Sequence, residues 1–309
     1  MSVRASITFV IPVYKASTLV AAALASVFGP EATVPVDAVV VDDGSPDGDA
    51  LAAQVSAWPA ARLIRHDRNR GMCAARNTGI LAATGDLVAI LDADDRLVAD
   101  WPQVLARVLA RWPAGNPLCF TACRTQTGAS TVAEPDYDGL LSAEDMVRGR
   151  HSGEYLPMME RGWIATHLYR DLGTRRSCGT LSYLAFARET PLWVCPEVMR
   201  IYTVGRPGSV TADTSRAAES ARCAEAVLAE HGDFMRAVDA ARWREQWLRL
   251  AYHRWRAGLP GAWDAWGRGL SIATIPKAVA MAGLFAAGHR VGDGLVAASR
   301  ALGLLRRFG

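Results

Sequence analysis

The chain has 309 residues, 50% apolar and 21% charged, with a formal net charge of +3. That balance excludes a disordered or fibrous protein, and it offers no basic excess that would call for a nucleic-acid partner. At roughly 100 to 200 residues per domain, the length accommodates one large domain, or a domain with an appendage.

In chain order, "ITFVIPVY" (7–14) is a continuous apolar strand, followed by a helix in "ASTLVAAALASVFG" that ends at Gly29-Pro30. "VDAVVVDDGS" (36–45) is a second strand closing in acids and turn residues, and a helix-forming run follows from Asp49 to Trp58. Then come "ARLIRH" as a strand, "MCAARNTGILAAT" as a helix and "DLVAILDADD" as a strand. Strands apolar throughout, separated by helices, imply a parallel sheet covered on both faces. In such α/β sheets ligands bind beyond the carboxyl ends of the strands. Three strand ends turn polar there: Pro12 to Lys15, Asp42 to Ser45, and Asp92 to Asp95.

Beyond residue 115 the pattern is less regular. "PLCFTACRTQ" and "WIATHLYR" read as strands, "LSAEDMVRGR" as a helix, and "WVCPEVMRIYTVGRPGSV" as one or two strands ending in a Gly-Pro turn. From about Asp213 the residues are helix formers, with Trp243, Trp247, Leu250 and Ala251 at helical spacing. The expected organisation is a domain over 1–213 and a helical region over 214–309. The six cysteines have no metal-finger spacing, and Cys119 and Cys123 read as packing thiols before metal ligands. With no secretory signal at "MSVRASITFVIPVY", reduced thiols and a cytoplasmic location are expected.

Carboxylates crowded at a strand end repel one another unless a cation or hydrogen-bond donors neutralise them. Magnesium and manganese take one or two carboxylates together with water and phosphate oxygens, so Asp92-Ala93-Asp94 suits a metal diphosphate. The competing reading is a helix cap with solvated neighbours.

The succession "VIPVYKAS", "VVVDDGSPDG", "RGMCAARNTGILAATGDLVAILDADD" closely resembles the nucleotide-binding half of family 2 glycosyltransferases, strongly over residues 6–96 and more weakly to about 213. The resemblance implies a GT-A fold, a Rossmann-like, mainly parallel sheet sandwiched by helices, here with a C-terminal helical appendage. It implies a nucleotide-sugar donor, a Mn2+ or Mg2+ ion at the DXD motif, single-displacement (inverting) transfer, and a carbohydrate or lipid-linked acceptor in cell-envelope polysaccharide assembly. Carried over residue by residue, Pro12 and Tyr14 would flank the base and Asp42 would accept a hydrogen bond from it, while Asp43 and Ser45 order the turn. Gly71 would allow close backbone approach, and Arg76 and Asn77 would lie near the nucleotide. Asn77 reads equally well as packing. Asp92 would face the ribose or a metal-bound water, Asp94 would ligate the metal, and Asp95 would cap the next helix.

Two departures stand out. The family commonly supplies its base from a Glu-Asp pair opening a helix before a segment like "CPEVMRIYTV", and here "SCGTLSY" puts Gly179 and Thr180 in that place. Where the family often has a histidine near the metal, this chain has "GRPGS", with Arg206 as an alternative diphosphate ligand. Glu154, Glu160, His167 and Asp171 are the substitute bases within reach in sequence, and Glu160 is the one chosen. His167 reads as a strand residue and Asp171 as a helix start. The missing pair keeps a second reading open, a nucleotide-sugar-binding partner or regulator that has lost transfer activity. In the tail, five tryptophans (Trp243, Trp247, Trp255, Trp263, Trp266) interleave with arginines, which suits peripheral contact with the inner face of the membrane as well as packing of the appendage. "GLSIATIPKAVAMAGLFAAG" is apolar but interrupted by Pro276 and Lys277, and is expected to be a surface or buried helix.

Overall fold

The computed structural model describes residues 6–205 and 216–286. The chain falls into two compact units, Met1–Arg206 and Pro207–Gly309.

The first unit opens with β1 (Ile7–Val13), α1 (Ser17–Phe28), β2 (Val36–Asp42), α2 (Gly48–Val55), β3 (Ala61–Arg65), α3 (Met72–Ala82) and β4 (Leu87–Ile90). The strands β3-β2-β1-β4 lie side by side and parallel. Each crossover is a helix whose apolar stripe covers the sheet, as Val20, Ala23, Leu24 and Val27 do on α1. Burial on both faces is why β1 and β4 contain hardly a polar residue. On the α3 side the fit is close: a Cβ on Gly79 would fall 2.2 Å from Val10 Cγ1.

Then follow β5 (Arg96–Leu97), α4 (Trp101–Arg111), β6 (Leu118–Thr125), β7 (Gly139–Leu141), α5 (Ala143–Arg148), β8 (Tyr155–Glu160), α6 (Arg161–Ile164), α7 (Gly179–Glu189) and β9 (Leu192–Tyr202). They extend the sheet to β3-β2-β1-β4-β8-β6-β9-β5, with β7 also on β9. β8 runs antiparallel to both β4 and β6, and β9 parallel to β6. Between Thr121↔Cys195 and Ala122↔Val198 the register skips Pro196 and Glu197, because a proline has no N–H for the ladder. It slips again before Cys123↔Arg200, and bulges of this kind re-aim the side chains that follow.

Two local expectations change. "WIATHLYR" is not a strand: α6 and a turn take its place, and the His167 ring stacks on Trp163 at 4.1 Å between centroids. Residues four apart share a helical face, which the apparent alternation concealed. No helix begins at Asp171, whose Oδ1 accepts the Gly173 N–H at 2.9 Å.

The second unit contains α8 (Ala217–Val238), α9 (Ala240–Arg256), α10 (Ala262–Gly269), a 3-10 turn at Ile272–Thr274 and a helix over 275–286. Asp239 caps α9 by accepting the Ala241 and Arg242 N–H groups. Leu248, Ala251, Trp255, Met281 and Phe285 belong to its core. Trp255 stacks on Phe285, Trp263 meets Phe285 edge-on, and Arg268 sits 4.8 Å from the Trp247 ring centre. Packing within this unit thus accounts for most of the tail tryptophans. Trp263 remains exposed, as do Ile272, Ile275 and Val279. Among the described residues no single helix is long and apolar enough to cross a membrane; Ala262–Gly269 and Ile272–Ala286 reach that length only as a pair bent by 116°.

Candidate active site

The pairing directions bring the carboxyl ends of β1, β2, β4, β6 and β9 to one edge of the sheet, together with the amino end of β8. At the β1 end, Pro12 is the last position but one and Tyr14 follows half-buried, with Lys15 Nζ 5.3 Å from its ring centre. The Lys15 N–H donates to Ser45 Oγ at 3.0 Å, joining the β1 and β2 loops.

Asp42 has no exposed surface. Its Oδ1 accepts the Ser45 N–H at 2.8 Å, and its Oδ2 lies 3.1 Å from Arg65 Nε without an aligned hydrogen bond. Asp43 is saturated: His66 Nδ1 at 2.7 Å and the N–H groups of Arg70 and Gly71 at 2.9 and 2.8 Å. Both acids order this turn, and Gly44, at φ +71°, lets it press against the backbone of Arg68.

The third strand end carries the densest charge. From α3, Arg76 places Nη2 3.1 Å from Asp92 Oδ1 and Nη1 3.3 Å from Ser177 Oγ, with the Tyr169 ring centre 5.5 Å away. Arg76 Nε is buried and has no hydrogen-bond partner. Across the cluster Arg200, only 2% exposed, sets Nη1 3.3 Å from Asp95 Oδ2 and 3.8 Å from Asp92 Oδ2, while its Nε donates to Cys123 Sγ at 3.1 Å. Burial alone would raise the Asp92 pKa, but Arg76 and then Arg200 outweigh it and hold the carboxyl below the ordinary range. Burial dominates at Asp95 and, against the opposing Arg200, pushes it up to about 7.

Asp95 is no helix cap: α4 starts only after Asp100, and the Asp95 carboxylate instead accepts the Thr203 N–H at 2.8 Å. The Thr203 hydroxyl donates to the Asp94 carbonyl at 2.5 Å, so the acidic turn is fastened to the end of β9. Asn77 points away from the acids and clamps Tyr169 through two 2.9 Å hydrogen bonds, one to its carbonyl and one from its N–H.

A protein-family model described as "Glycosyl transferase family 2" matches residues 8–140, which include the carboxyl ends of β1, β2, β4 and β6 but not the ends of β8 and β9. Over that stretch the chain is similar to glycosyl transferase family 2. The chain is 42% identical over 110 residues to succinoglycan biosynthesis protein ExoO of Rhizobium meliloti, covering 36% of this chain and 30% of that protein. ExoU of the same organism is 31% identical over 178 residues, covering 52% of this chain and 50% of its own length. The chain thus spans half or less of these curated relatives. Among solved structures, S. aureus TarS in complex with UDP-GlcNAc superposes with a TM-score of 0.58 at 13% identity, covering 98% of this chain and 93% of that one. Mannosyltransferase PcManGT from Pyrobaculum calidifontis, in complex with GDP-Man and Mn2+, gives 0.53 at 21% identity, covering 98% and 81%. The fold is the GT-A fold of these transferases.

In the family 2 pattern that the chain resembles, the start of α7 is where the acid pair is expected, and Ser177, two residues ahead of Gly179, touches Arg76. Gly179 and Thr180 therefore open the helix beside the site without a carboxylate. Glu160 does not replace it. It pairs with Leu87 at the amino end of β4, on the opposite edge of the sheet from Asp92, so it is withdrawn as the base. His167 Nε2 is engaged with Glu189 Oε1 at 2.7 Å. Arg206 lies outside the described residues.

Arg200 is a site residue absent from the sequence reading, although a lone charge inside the apolar run "VMRIYTV" is a usable signal, since a buried charge requires partners. Glu154, one of the substitute bases, faces the same arginine, Oε2 to Nη2 at 3.6 Å, which its distance from the acids in the chain hides.

The acids present fit a divalent ion of limited coordination. Among the described residues no three His, Cys, Asp or Glu side chains converge on one point to cage a metal. Asp94 with Asp92 beside it matches the one or two carboxylates that Mg2+ or Mn2+ takes when a diphosphate supplies further oxygens.

Proposed function

We propose that this chain is a divalent-metal-dependent, inverting glycosyltransferase. It moves a sugar from a nucleotide sugar, with a uridine nucleotide as first choice, to a glycan or lipid-linked acceptor in cell-envelope polysaccharide assembly, at the cytoplasmic face of the membrane. The observation that carries the reading is the Asp92-Ala93-Asp94 turn at the carboxyl edge of β4, with Arg76 locked onto Asp92. The succinoglycan biosynthesis role printed for ExoO and ExoU supports the polysaccharide context.

In this reading Pro12 and Tyr14 flank the base, while Asp42, fully buried between the Ser45 N–H and Arg65, shapes the turn beneath it instead of touching it. Asp94 and Asp92 hold Mn2+ or Mg2+, which when bound neutralises charge developing on the leaving diphosphate. Arg76 fixes Asp92 in its ionised form and, from the same buried edge, presents a cation toward the nucleotide.

The test is release of nucleoside diphosphate from a panel of nucleotide sugars, with and without manganese, by wild type and Asp94→Ala. Metal-dependent release by wild type and its loss in the variant are expected. Equal nucleotide binding and turnover by the variant would overturn the metal assignment. The bare start of α7 favours a second reading, a donor-binding protein without turnover. A Cβ on Gly179 would meet only the Tyr183 ring at an ordinary 3.5 Å, so the backbone there admits a side chain, and Gly179→Glu separates the two. It creates activity in a protein that has merely lost its base, and changes little in one that uses another.

A further inference from the structure

An inverting transfer needs a carboxylate opposite the leaving group, and neither the start of α7 nor Glu160 supplies one. The edge itself narrows the choice. Asp92 is bound by Arg76 and Arg200, Asp95 is buried and bonded to the Thr203 N–H, and Asp94 is assigned to the metal. Glu154 is the fourth acid of the cluster, and its side chain is 57% exposed.

Its position follows from the direction of β8. Because β8 runs antiparallel to β4, the strand that ends in Glu160 at the wrong edge begins at the right one. Ala89 pairs with Met158, so β8 read backwards from there leads toward the carboxyl edge of β4, and Glu154 immediately precedes the first residue of β8. The backbone there is held by Thr131: the Glu154 N–H donates to the Thr131 carbonyl at 3.2 Å, and the Glu154 carbonyl accepts the Thr131 hydroxyl at 2.8 Å. Gly153, at φ +153°, makes this approach feasible, since a Cβ would fall 2.5 Å from Thr131 O. The carboxylate then rests on the buried guanidinium of Arg200, which also reaches Asp92 and Asp95. One cation therefore ties Glu154 to the metal-binding turn.

We propose that Glu154 is the general base of the transfer, in place of the acid pair missing from α7. The inference rests on the glycosyltransferase reading. In the step, the acceptor oxygen forms its bond to the anomeric carbon while the bond from that carbon to the diphosphate oxygen breaks. The hydroxyl proton passes to a Glu154 carboxylate oxygen, and the electron pair of the broken bond leaves with the nucleoside diphosphate. Arg200, with Nη2 3.6 Å from Glu154 Oε2, holds the carboxylate beside the acidic turn, where an acceptor of that proton must sit.

The experiment uses the full chain with Mn2+ and UDP-glucose, UDP-galactose, UDP-GlcNAc and GDP-mannose. Diphosphate release is measured to water and to a panel of simple glycosides, and UDP affinity by calorimetry. For Glu154→Gln a fall in kcat of about 100-fold or more is expected, with the Kd for UDP changed by less than about threefold. Glu154→Asp, which keeps a charge for Arg200, gives a smaller loss and guards against a folding defect in the amide variant. Glu160→Gln turns over like wild type. Wild-type kcat in Glu154→Gln, or a loss of UDP affinity that accounts for the whole loss of rate, overturns the assignment while leaving the transferase reading intact. UDP binding without diphosphate release by wild type, across all donors and acceptors, overturns the transferase reading and the base with it.

Discussion

Arg76 and Asn77 are adjacent on α3 and do opposite things. Arg76 turns toward the acids and Asn77 toward Tyr169, because neighbouring helical residues project about a hundred degrees apart. The residue beside a charged site residue is here a clamp for the chain that follows α6. Its removal is therefore a stability experiment. Asn77→Ala deletes both bonds to the Tyr169 backbone, leaving a donor and an acceptor short of partners, and is expected to cost about 2 to 3 kcal/mol in a denaturation experiment. UDP affinity measured below the melting transition should not move. A parallel loss of affinity would place Asn77 in the nucleotide site instead.

At the scale of elements, the contact between α3 and β1 sets how Arg76 is presented. Gly79→Ala places a methyl against Val10, a fully buried side chain of the central strand. The gain in helix propensity, close to 1 kcal/mol, works against an overpacking cost of about 1 to 3 kcal/mol, so a net destabilisation of about 1 to 2 kcal/mol is expected. Gly162→Ala, in open space, should be neutral or slightly stabilising by the same measurement. This parallel half of the sheet was legible in sequence because β1, β2 and β4 are apolar runs closed by polar residues, and burial on both faces leaves that trace. The other half was not. The insertion of β8 between β4 and β6 depends on pairings between residues far apart in the chain, and a lone strand segment does not declare its direction. Glu154 and Glu160 sit at opposite ends of that one strand, and direction alone decides which of them meets the acids. Arg200 was hidden for a related reason: the bulge at Pro196 sets its register, and only the pairing with β6 reveals it. The nearness of Asp92 and Asp94 was readable because they stand two apart in one turn.

For the molecule as a whole, the helical unit bears on where the proposed transferase would work. On the segment after α10, Thr274, Ala278, Met281 and Phe285 are buried, at the spacing of one helical face. Ile272, Ile275 and Val279 occupy the other side, with exposures of 90%, 48% and 64%, so this helix is apolar on both faces. A helix that has already covered its inner face gains nothing in water from an apolar outer one. A lipid surface would bury it, and α9 contributes Arg242, Arg244, Arg249, Arg254 and Arg256 against one acid, Glu245. Full burial of an Ile or Val side chain is worth about 1.5 to 3 kcal/mol, at least a tenfold change in partitioning for each. Flotation with vesicles containing anionic phospholipid should therefore recover wild type. Ile272→Glu combined with Val279→Glu should lower recovery by roughly 100-fold on the same scale. Diphosphate release from the soluble donor should stay unchanged, since neither residue lies in the unit that carries the acids. Equal flotation of the double variant would show that this face is not the one that meets lipid.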